Sequence, residues 1–281
     1  MRKLMFLFII LAASLIIFGC SSTDPEPEPE VFDPPTGLTY MTYQDSVKLS
    51  WSISPDAGQS GFQGYLIYRR ENAGFSGLSD TELEAYIVSS SPVSGTETTI
   101  TGLASDKKHY FAARAIKVVG GDTTLSNLSG TVDTSPTIWF EDTLWEITGG
   151  DSVICAIDFD NQVVYPMQLA HLTHIDLYLG VDDSNFLTLK SPSNFGTEWE
   201  SRVANIKRLG IATEGLASFG DAGTIGTSTT ATLTQPGTTF AIKIGSHYSK
   251  LYFVNFVGGA YPNRGIYFKA AYQEIGDYTH F

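Results

Sequence analysis

Cysteine is scarce in this sequence: Cys20 and Cys155 are the only two. Two thiols cannot staple a disulfide scaffold or complete a four-thiolate zinc site. Positive charge is also scarce, with 17 lysines and arginines against 30 aspartates and glutamates and a formal net charge of −13. A phosphate backbone needs a basic face, so nucleic acid is excluded as a partner. The same acidic field disfavours acidic polymers. The catalytic signatures that short motifs can reveal are missing. There is no Gly-x-Ser-x-Gly elbow, Walker loop, Gly-x-Gly-x-x-Gly, His-Glu-x-x-His or Cys-x-x-Cys. Apolar residues nevertheless make up 42% of the chain and aromatics 12%, enough to build real cores and to exclude wholesale disorder. A length of 281 residues leaves room for about two domains.

Only one long apolar run exists. It spans Leu4 to Phe18 behind Arg2 and Lys3. As a helix it would reach about 22 Å at ~1.5 Å per residue. That is short of a bilayer span and fits a signal-peptide core. The run closes on Ile17-Phe18-Gly19-Cys20, which resembles the bacterial lipobox. The resemblance implies cleavage before Cys20, followed by diacylation and N-acylation (palmitate-type chains) of that cysteine. The alternative is a plain secretory signal. Residues 21–33 form an acidic Pro/Glu linker, with Pro and Glu alternating from Pro25 to Glu30. Such a run makes no helix or ladder bonds and extends as a stiff spacer of roughly 3.1 Å per residue. Ser21, where an inner-membrane retention signal would place aspartate, favours the outer membrane. Without residues 1–19 the chain keeps 15 positive charges against 30 negative ones. Two or three acyl chains are enough for stable membrane anchoring.

Residues 34–134 carry short alternating runs between turn residues. Val47, Leu49 and Trp51 share one strand face, Gly64–Arg70 reads as a second strand, and Thr98–Ile100 and Tyr110–Ile116 follow. This spacing predicts an antiparallel β-sandwich. Pro34-Pro35-Thr36-Gly37-Leu38, Trp51, Tyr65, Tyr68, and the six-residue spacing of Leu103, His109 and Ala115 resemble a fibronectin type III domain. His109 stands where that family has its corner tyrosine, and an imidazole nitrogen can still bond the backbone there. The fold by itself specifies no function.

Ser135-Pro136 marks a boundary, and 137–281 reads as a second β-rich domain. Strands are predicted over 152–159, 174–179, 240–244, 251–257 and 265–272. In the fourth of these, Leu251, Phe253 and Asn255 alternate against Tyr252, Val254 and Phe256. One short helix is predicted from the Thr197/Glu200 capping box, the spacing of Trp199, Val203 and Ile206, and Gly210 as cap. Cys155 falls on an apolar strand face and reads as a buried small hydrophobe. The fold class is therefore mainly β: a fibronectin type III-like sandwich followed by a second β-rich domain with one short helix. The closing runs Gly237–Ile244, Ser246–Leu251 and Ile266–Gln273, with Ala156–Asp160 and Asp176–Tyr178, are similar to strands of HmuY-like lipoproteins. That resemblance implies haem capture between two histidines. The candidates are His171, His174 and His247. A strand over 171–174 would send the first two to opposite faces, which leaves His171 with His247 as the open pair.

No resident metal or cofactor is expected. Asp158-Phe159-Asp160-Asn161 begins like a calcium loop, but Gln162, Val163 and Leu169 stand where such a loop needs an oxygen donor, glycine and glutamate. A turn is the simpler reading, and Asp182–Asn185 is turn chemistry as well. Trp139, Phe140 and Trp145 cluster at the start of the second domain and six tyrosines crowd its end. Such rings either build cores or stack on sugars and anchor partners. Trp139 and Trp145 are the candidates for ligand contact. These readings combine into a non-catalytic lipoprotein of the bacterial envelope, displaying a binding or adhesion module. Its partners would be the membrane through Cys20 and an envelope or extracellular protein, polysaccharide or small molecule. The alternative is haem or metal capture. A third reading is an envelope hydrolase using carboxylates such as Glu198, Glu200 and Glu214, since carboxylate separation is invisible in a sequence.

Overall fold

A computed structural model describes residues 32–149 and 153–281. The signal segment, Cys20 and the linker up to residue 31 lie outside the described residues. Chain order is β1 (Thr36–Thr42), β2 (Ser46–Ser52), β3 (Phe62–Glu71), α1 (Asp80–Glu84), β4 (Glu97–Thr101), β5 (His109–Val119), β6 (Asp122–Leu125) and β7 (Val132–Thr134). One antiparallel sheet runs β1-β2-β4. The other runs β3-β5-β6, with β7 also on β5. Strict alternation drives this packing: Val47, Leu49 and Trp51 are buried while Lys48 and Ser50 are not. Tyr65, Ile67, Phe111, Ala113 and Ala115 are buried in the other sheet. Trp51 meets Tyr65 edge-on at 5.4 Å. The back of β3-β5 is also covered, by Phe75 and by Leu83 of α1 packing on Tyr68 and Ala112. At the corner, buried His109 bonds through Nε2 to the Ala104 carbonyl at 2.9 Å, as the sequence allowed. Burial holds its pKa below the usual imidazole value, so the ring is neutral and Nε2–H donates.

The second set of strands is β8 (Ile138–Trp145), β9 (Ile154–Asp158), β10 (Val163–Pro166), β11 (Leu177–Val181), β12 (Leu187–Lys190), β13 (Ala204–Ile211), β14 (Thr230–Thr232), β15 (Thr238–Ile244), β16 (His247–Gly258) and β17 (Arg264–Gln273). They form two five-stranded antiparallel sheets, β10-β9-β11-β12-β14 and β13-β15-β16-β17-β8. The core lies between them. Ile157, Leu177, Leu179 and Leu189 face Phe240, Ile242, Leu251, Phe253 and Phe268.

Two expectations need correction. The predicted helix after Thr197 is a single 3-10 turn, Thr197–Trp199, and the chain then enters β13. Trp199 is buried in a satellite core with Cys155, Ile175 and Tyr178. Val203 is exposed, Ile206 faces the main core, and Gly210 sits in a β-bulge at φ +147° rather than capping a helix. The helical spacing was coincidental, and strand alternation won. The α-helix of the described residues is α1, in the first sandwich. The alternation assigned to β16 also breaks. A register shift between Phe253 and Asn255 sets Phe256, not Asn255, opposite buried Ile266, although Phe256 itself lies at the exposed end of the strand.

The boundary at Ser135-Pro136 is packed. Ser135 and Thr137 are buried, and Ser135 Oγ donates to the Ser105 carbonyl at 2.8 Å. Tyr40 Oη donates to the Gly220 carbonyl (3.0 Å) and Tyr278 Oη to Asp133 (2.9 Å). Tyr43 lies against Trp139. Asp33–Phe281 is accordingly one compact unit.

Candidate functional site

A polar cleft of about 380 Å³ lies at the junction end of the second sandwich. Its walls come from both sheets. Gly245 and Ser246 form the two-residue turn between β15 and β16, with Gly245 at φ +56°, a position glycine fills at low cost. That turn sets His247 as the first residue of β16, where its ring stacks on Tyr272 of β17 with centroids 5.7 Å apart. Asp160 comes from the β9–β10 turn, Asp176 from the entry to β11, and Arg202 from the entry to β13.

Three carboxylates gather here: oxygens of Asp158, Asp160 and Asp176 all lie within 4.8 Å of one another. Asp176 accepts from the Phe159 N–H at 3.0 Å and from Arg202 Nη2 at 2.5 Å, and Arg202 Nε also holds the Ile175 carbonyl at 3.1 Å. Burial still wins over this pairing and pushes the Asp176 carboxyl up to about 7. Asp158 is fully buried and moves up for the same reason, with Asp160 beside it. It accepts the Asn161 N–H and side-chain amide at 3.1 and 2.9 Å, which is the turn chemistry read from the sequence. Oxygen donors of this kind suit a hard cation, and Asp158, Asp160 and Asp176 are the residues that could hold one. Here Asp158 and Asp176 are satisfied by Asn161, Arg202 and the Phe159 N–H.

The sequence-predicted residues fall in different places. His247 lines the cleft. His171 ends a 3-10 turn, Leu169–His171, rather than lying in a strand, and stacks on Tyr165 at 4.4 Å. His174 approaches the same ring at 6.3 Å and places Nδ1 3.4 Å from Asp158. The opposite-face argument for the two histidines therefore fails, because it assumed strand geometry. The cleft lining holds one histidine, His247, beside Asp160, Asp176 and Arg202, while His171 stacks on Tyr165 and is not part of that lining. Trp139 is half-buried, donates to Thr137 Oγ1 at 2.8 Å and faces the first sandwich. Trp145, at the far end of β8, is exposed. Cys155 is buried, and its thiol is pushed up to about 11 by burial, so it is an inert core group. Sequence reasoning missed Asp176 and Arg202, which lie 26 residues apart and meet only because the two sheets stack.

No family model and no curated protein matches the chain. Among solved structures it is similar to a DUF4466 family protein from Parabacteroides merdae ATCC 43184, with 11% identity, 85% of this chain and 100% of that one covered, and a TM-score of 0.36. A myokine structure aligns at 15% identity over 37% of this chain and 97% of that one, TM-score 0.26. Domains A168–A170 of titin align at 22% over 36% of this chain and 32% of that one, TM-score 0.26. Scores this low carry no argument about function. The β class rests on the strands themselves.

Proposed function

We propose that this chain is a non-catalytic lipoprotein of the bacterial envelope, anchored through Cys20 and displaying its two sandwiches as a binding module. The observation that carries the reading is the order of parts along one sequence. A short apolar run ends in Gly19-Cys20, an acidic Pro-Glu spacer follows, and then comes a compact β unit from Asp33 to Phe281. A stiff, charged spacer extends a tethered body away from its anchor. Packing between the sandwiches fits display as one unit rather than as two swinging beads. The partners in this reading are the membrane, through the lipid, and a ligand in the envelope or outside it.

The test is phase partitioning of the protein from a Gram-negative host in a cloud-point detergent. The native chain is expected in the detergent phase, and residues 21–281 secreted behind a cleavable signal, without Cys20, in the aqueous phase. Both proteins in the aqueous phase would sink the lipid-anchor reading.

A further inference from the structure

The end of the second sandwich away from the junction gathers exposed aromatic rings. Among the described residues, the exposed aromatics are Trp145, Phe186, Phe195, Phe256 and Tyr261. All but Phe195 lie at this end. β8 places Trp145 roughly 24 Å from Ile138, at ~3.4 Å per residue. The β16–β17 hairpin divides the end into two grooves of about 310 Å³ each. Phe186, Phe256 and Arg264 line one; Trp145, Glu146 and Asn263 line the other.

The rings are held in position. A Cβ at Gly258 would lie 2.8 Å from Trp145 Cζ3 and one at Gly265 3.2 Å from Cε3. The six-membered edge of the indole thus rests on two glycines, and larger residues would dislodge it. Arg264 fixes the hairpin. It bonds Glu146 through Nε at 2.7 Å and the Asn185 carbonyl through Nη1 at 2.9 Å, and its guanidinium lies 5.5 Å from the Tyr261 ring. Flat rings beside the exposed side-chain amides of Asn263 and Asn185 are the chemistry that grips a sugar: C–H faces stack on the rings and hydroxyls bond the amides.

We propose that this end binds a neutral polysaccharide, with Trp145 and Tyr261 as stacking rings. The proposal rests on the displayed-module reading and names that module's ligand class. Charge selects the occupant. Glu146 cancels Arg264, and the net charge of −13 repels acidic polymers. The hairpin and the buried ion pair break the apolar surface in two, which disfavours a flat contact between copies.

The test uses lipid-free chain of residues 21–281, which contains the whole compact unit, in native gels cast with glucomannan, mixed-linkage β-glucan, galactomannan or amylopectin. At least one is expected to retard the protein, undiminished by about 0.5 M salt. Trp145→Ala and Tyr261→Ala should each weaken retardation about tenfold or more, with Trp145→Phe in between and unfolding temperatures close to the parent. The proposal is overturned if no gel retards the protein, or if both alanine variants are retarded as strongly as the parent. It is also overturned if the parent sediments as a dimer that Trp145→Ala dissolves. Failure here leaves Cys20 anchoring untouched, because this chain carries no lipid. Failure of the detergent test leaves sugar binding untouched.

Discussion

Lys250 shows how far burial can move a single residue. It stands on the outer face of β16, yet it is fully buried, because the 215–219 segment and Phe281 fold over it. Its Nζ donates to the Leu216 carbonyl at 2.6 Å and lies 3.3 and 3.4 Å from the Ser218 and Phe219 carbonyls. No carboxylate bonds it in the described residues. Burial lowers its pKa to about 7. The unfolded chain therefore binds more protons than the folded one between about pH 7 and the ordinary lysine value. By linkage, this residue makes stability rise with pH across that window and adds no slope below it. Urea midpoints of the parent should climb from pH 7.0 to 9.5 more than those of Lys250→Met. Parallel shifts would contradict the depressed pKa. His109 is the companion case. A histidine can serve the corner because only one polar nitrogen is needed there, and Nε2 reaches Ala104.

At the scale of elements, β13 is the instructive strand. Gly210 sits in its bulge at φ +147°, and a Cβ there would lie 3.1 Å from the Phe219 ring. Gly210→Ala should destabilise the protein by roughly 1–3 kcal/mol, as strained backbone at such positions does. A thermal melt within error of the parent would contradict the bulge. The first sandwich was legible because its strands alternate cleanly around Val47, Leu49 and Trp51, and its turns carry glycine, proline and serine. The second was legible in its long hairpin strands. It was misread at 197–210, where a capping-box tetrapeptide and a chance i, i+4, i+7 spacing imitate a helix that the sheet overrides. Tertiary packing decides such short segments, because nucleating a helix of that length is costly. The candidate cleft was only partly readable. Tyr272 closes a predicted strand and His247 is a named candidate, but Asp160, Asp176 and Arg202 come from three separate loops, and only the stacking of the two sheets brings them together. The far-end rings were half legible: Trp145 was singled out, while its glycine bed is a cross-strand feature that no local pattern announces.

At the scale of the whole molecule, the two sandwiches share one interface, built by Tyr40, Asp133, Ser135, Trp139 and Tyr278. They therefore present one face arrangement to a ligand rather than two independent ones. Display of that arrangement at a membrane rests on Cys20. Intact-mass spectrometry of protein extracted from membranes of a Gram-negative host tests it most directly. The account predicts a chain that begins at Cys20 and is heavier than residues 20–281 by two or three acyl chains plus glycerol, with the excess absent from Cys20→Ser. A mass matching an unmodified chain, or an N-terminus at any other residue, would contradict it.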